Sequence, residues 1–94
     1  MIKKETIYLK KCLKRDYEFL QHLLDTDFDV PNINSKYEYI LNVCNDMSVE
    51  WNGHYNNSTT LTQKSICKRM FDIIDKTSYE SLEIIKHNVF KGVY

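Results

Sequence analysis

Three short segments constrain this chain more than anything else in it: Ser35-Lys36-Tyr37-Glu38, Thr60-Leu61-Thr62-Gln63 and Thr77-Ser78-Tyr79-Glu80. Each has the capping-box form. The Ser or Thr hydroxyl accepts a hydrogen bond from the N3 amide, and the N3 Glu or Gln reaches back to the cap amide. Each also precedes a segment with apolar residues at helical spacing, so the chain reads as a succession of helices.

Periodicity predicts the first helix over residues 4–24, with Leu9, Leu13, Leu20, Leu23 and Leu24 on one face and Cys12 and Tyr17 at its edges. Asp16 falls inside that leucine stripe. A buried charge is costly without a partner, so we expect a carboxylate at the rim, paired with a Lys or Tyr. Residues 25–34 read as a loop, because Pro31 biases Val30 away from helix. A second helix follows over 36–47, with Tyr37, Ile40, Leu41, Cys44 and Met47 inward. In Trp51-Asn52-Gly53-His54-Tyr55, an Asn-Gly pair stands between aromatic residues. That pattern predicts a short hairpin or tight turn, anchored by Trp51. The third helix spans 61–76 around Ile66, Met70, Ile73 and Ile74, with Cys67 and Phe71 widening its apolar arc. The fourth spans 78–91 with Leu82, Ile85 and Val89 inward, and Gly92 stands just past its end. The expected fold is all-α: a single four-helix domain over residues 1–94 around a Leu/Ile/Tyr core. A short β-hairpin or ordered loop joins helices 2 and 3.

Ninety-four residues, 43% apolar and 28% charged, suit one globular core without disulfides or metal. No apolar run approaches the roughly 20 residues of a membrane span, and no apolar stretch follows Met1–Glu5, so neither a span nor a signal peptide is expected. Cys12, Cys44 and Cys67 are an odd, widely spaced set on predicted apolar faces, which reads as free thiols in a reducing cytoplasm. The chain has no alanine, two Gly and two Arg but abundant Lys, Ile, Asn and Tyr. This bias towards AT-rich codons points to a phage, virus, mobile element or low-GC microbe. Net charge is zero but segregated: +5 over residues 1–15 (six Lys/Arg, one acid), −7 over 16–59 (one Lys, eight acids) and +2 over 60–94 (six Lys/Arg, four acids). Such asymmetry can steer a charged partner, or pair two copies head to tail.

Little in the chain suggests chemistry. Asp25-Thr26-Asp27-Phe28-Asp29 opens like a calcium loop, but Val30 and Lys36 stand where an EF-hand needs Gly and Glu. His22, His54 and His87 are isolated, and no Cys or His pair has zinc spacing. There is no glycine-rich phosphate loop and no nucleophile elbow. We therefore expect no enzyme activity, no catalytic residues, no metal and no cofactor. The Trp51, His54 and Tyr55 tip has the residue types that dominate binding energies, and is the expected partner-binding site. Thr62-Gln63-Lys64-Ser65-Ile66-Cys67-Lys68-Arg69-Met70 resembles the first helix of helix-turn-helix repressors, although the short turn expected after Met70 is missing. Independently of that resemblance, Lys64, Lys68 and Arg69, aided by Lys10 and Lys14, are the expected phosphate contacts of a nucleic-acid-binding alternative.

These features lead to an expected cytoplasmic protein-binding module, of phage, viral or mobile-element origin, that regulates or inhibits a larger macromolecule through its surface. The alternatives are a DNA- or RNA-binding regulator and a structural homodimer.

Overall fold

The computed structural model describes residues 4–26 and 33–90, and within them the chain forms three helices. Helix α1 spans Lys4–Asp25, α2 spans Ile33–Asn56 and α3 spans Leu61–Phe90. Part of the predicted 25–34 loop, with most of the acidic Asp25–Asp29 segment, lies outside the described residues, as does Gly92.

The helices run up, down and up. Thr6 of α1 meets Gln63 at the start of α3, while the Lys36 ammonium, near the start of α2, donates to the Leu24 carbonyl at 2.9 Å. Helix α1 is therefore antiparallel to α2 and parallel to α3. The Lys36 contact also satisfies a carbonyl left open at the end of α1. Helices α2 and α3 form the tightest pair; α1 packs chiefly against α3 and only lightly against α2. The bundle measures 54 × 21 × 15 Å.

The core follows a seam with alternating spacings of three and four residues. On α1 it passes through Thr6, Leu9, Leu13, Asp16, Leu20 and Leu23; on α2 through Ile40, Cys44, Met47 and Trp51. On α3 it runs unbroken through Gln63, Cys67, Met70, Ile74, Thr77, Ser81, Ile84 and Asn88. This 3.5-residue repeat is that of helix bundles packed knobs into holes.

Several expectations need correction. The four predicted helices are three, because 61–76 and 78–91 form one 30-residue helix. No cap forms at Thr77. Its hydroxyl instead donates to the Ile73 carbonyl at 2.9 Å, and its side chain occupies the seam. Continuing the seam past Ile74 carries Ser81 and Asn88 inward, leaves two of the three predicted inward residues, Leu82 and Val89, exposed, and keeps Ile85 half-buried. Ser35 likewise lies inside α2, which begins at Ile33. The third capping signal holds: the Gln63 amide donates to Thr60 Oγ1 at 3.2 Å. Gln63 Oε1, however, accepts from the Thr59 amide at 2.8 Å, closing the box one residue early.

The predicted hairpin is helical. Asn52 and Gly53 fall in the last turns of α2, which continues to Asn56. Gly costs about 1 kcal/mol in a helix interior and Asn somewhat less. Trp51 is the next seam residue after Met47, and helix places it in the core with no exposed surface. Burying an indole is worth about 4–6 kcal/mol at about 25 cal/mol per Å². Burial therefore outweighs local turn preference. The buried core is Leu, Ile, Met, Cys and Trp rather than Leu, Ile and Tyr: Tyr8, Tyr17, Tyr39 and Tyr79 are exposed, while Tyr37 and Tyr55 pack half-buried against it.

A Cβ added at Gly53 meets nothing within 4 Å. Gly53→Ala should therefore stabilise the protein by about 0.5–1 kcal/mol, seen as a Tm rise of a few degrees. A type I′ hairpin would give the opposite sign, because alanine resists positive φ.

Candidate functional site

Asp16 is the charged residue of the α1 seam. Its Oδ2 accepts a 2.8 Å hydrogen bond from Trp51 Nε1 of α2, and its Oδ1 accepts from Arg15 Nε at 3.0 Å. The expected partner was Lys or Tyr; the structure supplies an indole and a guanidinium. Both carboxylate oxygens are occupied, so Asp16 serves the fold. Arg15 also reaches Glu50 Oε1 at 3.6 Å, and its pKa rises further, chiefly through the Asp16 hydrogen bond. The His54 ring meets Trp51 edge-on at 4.9 Å between centroids and Tyr8 at 6.1 Å, and its Nε2 stands 3.8 Å from Glu50 Oε1.

Beside this network the light α1/α2 packing leaves an open groove of about 450 Å³. Phe19, Val43 and Met47 contribute apolar surface, while Asp46 and Glu50, one helical turn apart, supply acidic groups. Arg15 and Asp16 close one side.

The predicted partner-binding set is only partly assembled. Trp51 is core, since the helix turns its ring inward, so it offers no binding surface. His54 is half-buried beside Trp51 on the α1-facing side. Tyr55 is half-buried on the α3 side, with its ring 6.2 Å from that of Phe71 and Lys64 Nζ 5.6 Å from its centroid. No tip brings the three together.

The predicted cationic set divides as well. Because α1 and α3 are parallel, Lys10, Lys14, Lys64, Lys68 and Arg69 all lie at the same end of the bundle. At 100° per residue, Lys10 and Lys14 extend the α1 stripe of Tyr17 and Gln21, which faces α3. Arg69 extends the α3 stripe of Ile73 and Lys76, which faces α1. Lys64 lies on the other side of α3, against Tyr55, and Lys68 is exposed away from the α1/α3 junction. Phe19, Val43, Asp46 and Glu50 were missed as potential site residues. Their signal is a pair of acids four residues apart beside apolar positions, legible only once α2 is known to continue past Met47.

Cys12, Cys44 and Cys67 are free and buried. Burial pushes the Cys44 and Cys67 thiols up, partly offset by hydrogen bonds from Ser78 and Ser58 respectively. Among the described residues, no group of three or more His, Cys, Asp or Glu side chains is placed to hold a metal ion, and no helix is long and apolar enough to cross a membrane.

No family model, curated protein or solved structure matches the chain.

Two expectations follow. Asp16→Leu leaves the indole N–H without an acceptor, and Trp51→Phe leaves a buried carboxylate oxygen without its donor. Each should cost about 1–3 kcal/mol in urea denaturation, and the double variant less than the sum by about 1 kcal/mol or more. A purely additive cycle would show that the hydrogen bond contributes nothing. The thiols should react with Ellman's reagent only on unfolding, because protonated, buried sulfur is a poor nucleophile. The raised folded pKa values of Cys44 and Cys67 favour folding fully below the ordinary thiol value of about 8.5, and this contribution fades as pH rises above it.

Proposed function

We propose that this chain is a small protein-binding module that docks a basic, amphipathic segment of a partner in the α1/α2 groove, regulating or inhibiting that partner by occupancy. The observation that carries the reading is the groove itself, with apolar Phe19, Val43 and Met47 beside acidic Asp46 and Glu50. An apolar side chain of the partner would settle on Phe19 and Val43, and a Lys or Arg one helical turn away would meet Asp46 or Glu50. The existing Arg15–Glu50 contact is between exposed side chains. Such pairs are worth about 0–1 kcal/mol, so a partner's cation can replace it at small cost. Buried free thiols fit a reducing compartment such as cytoplasm.

The test is selection from a random dodecapeptide library. Enriched peptides should carry Lys or Arg three or four residues from Leu, Ile or Phe. Their affinity should fall at least tenfold for Phe19→Glu and for Asp46→Lys, variants at exposed positions that keep the parent Tm. Selected peptides indifferent to both variants would overturn the reading. A mass that rises with concentration in light scattering, and falls back in Asp46→Lys, would give the groove to a second copy of the chain instead.

A further inference from the structure

We propose that the opposite junction, between α1 and α3, is a binding site for single-stranded nucleic acid. The two helices are parallel, with Thr6 abreast of Gln63. Tyr17, Gln21 and Leu24 share a shallow depression of about 380 Å³ with Ile73, Lys76 and Thr77. This register sets Lys10, Arg69, Lys14 and Lys76 in succession along the junction, over about 14 Å at 1.5 Å per residue. All four are exposed, and none forms an ion pair among the described residues. Glu80 marks the acidic end of the row.

Cations aligned without acidic partners fit a chain of phosphates. Tyr17 adds what a generic polyanion site lacks. Tyr17 is 42% exposed and lies in the row between Lys14 and Lys76. A phosphate-tracking basic groove with an aromatic ring for base stacking is how single strands are held without sequence readout. The length suits about four nucleotides. The chain's zero net charge does not oppose this, because Asp46 and Glu50 lie on the α1/α2 side and, within the depression, Glu80 is the acid at its far end. This site shares no residue with the α1/α2 groove, so either can fail alone.

The test is fluorescence anisotropy with a labelled ten-nucleotide oligo-dT in 50 mM salt, using the full chain. Binding should weaken with salt at a log–log slope of about −2 to −3, as expected for three or four phosphates. Lys10→Glu/Arg69→Glu should lose at least tenfold in affinity, whereas Asp46→Lys should not weaken binding. Tyr17→Leu should lose severalfold without changing the slope. Far-UV circular dichroism and Tm of each variant confirm that it is folded. Undetectable binding at 50 mM salt, or a Lys10→Glu/Arg69→Glu variant that binds as well as the parent, would overturn the proposal. So would equal competition by polyglutamate together with an indifferent Tyr17→Leu, which would give the row to an acidic protein surface.

Discussion

The hydrogen bond from the Trp51 indole to Asp16 is the constraint on which the placement of α1 depends. Elsewhere α1 touches α2 only lightly, and apolar packing alone can slide by a turn at little cost. A carboxylate in a seam cannot slide so freely. Displaced by one turn, Asp16 would lose the indole and remain desolvated, a penalty of about 1–3 kcal/mol or more for a charged group. The bond thus fixes the height of α1 along the bundle. In doing so it fixes which residues line the α1/α2 groove and which cations stand abreast on the α1/α3 face. Arg15 completes the pair from the solvent side, so the carboxylate is buried at one oxygen and anchored at the other.

Polar seam residues repeat this logic along the bundle. Thr6 and Gln63 meet near one end, and Asn34 and Asn88 form a buried 2.9 Å hydrogen bond at the other. A polar side chain at a seam position gives up stability and gains a unique register, since only one alignment satisfies it. The seam also needs small residues where helices approach closely, and this chain has no alanine. Cys44, Cys67, Thr77 and Ser81 take such seam positions, and Cys12 is buried beside the α1 seam. The cysteines are therefore explained by packing volume, which agrees with their burial.

How much of this was legible depends on which signal each element carried. Helix α1 is read almost to the residue, since its leucines state the period plainly. Thr60 is read as a cap because the α3 seam begins only after it, at Gln63. The two misread breaks share one cause. Thr77-Ser78 and Asn52-Gly53 are local signals for a break, and in both places the seam runs straight through. Local preferences of about 1 kcal/mol lose to an uninterrupted core. The clue was present on α3: Gln63, Cys67, Met70, Ile74, Thr77, Ser81, Ile84 and Asn88 keep one alternating spacing across the supposed junction. It is visible only if Gln, Thr, Ser and Asn are admitted as core residues. The Asp16 anomaly was legible as an anomaly, but its partner lies 35 residues away and could not be read from the α1 pattern alone.

The two candidate surfaces arise from one topological fact. Along the sequence, positive charge sits in the first fifteen residues and again after residue 60, with an acidic stretch between. An up-down-up bundle returns the third helix parallel to the first, so the two basic segments lie side by side at one end. Each of the three helix junctions then inherits a character from its two contributors. Helix α2 with α3 is closely packed and mostly spent on the core. Helix α1 with α2 combines loose packing with acids, and α1 with α3 combines a shallow cleft with cations. At physiological ionic strength the Debye length is about 8 Å, shorter than the roughly 20 Å width of the bundle. Opposite faces are therefore screened from one another, and each can attract its own ligand despite a net charge of zero. A shift of α1 along the bundle would break the register within both junctions, which returns the surface chemistry to the single hydrogen bond between Asp16 and Trp51.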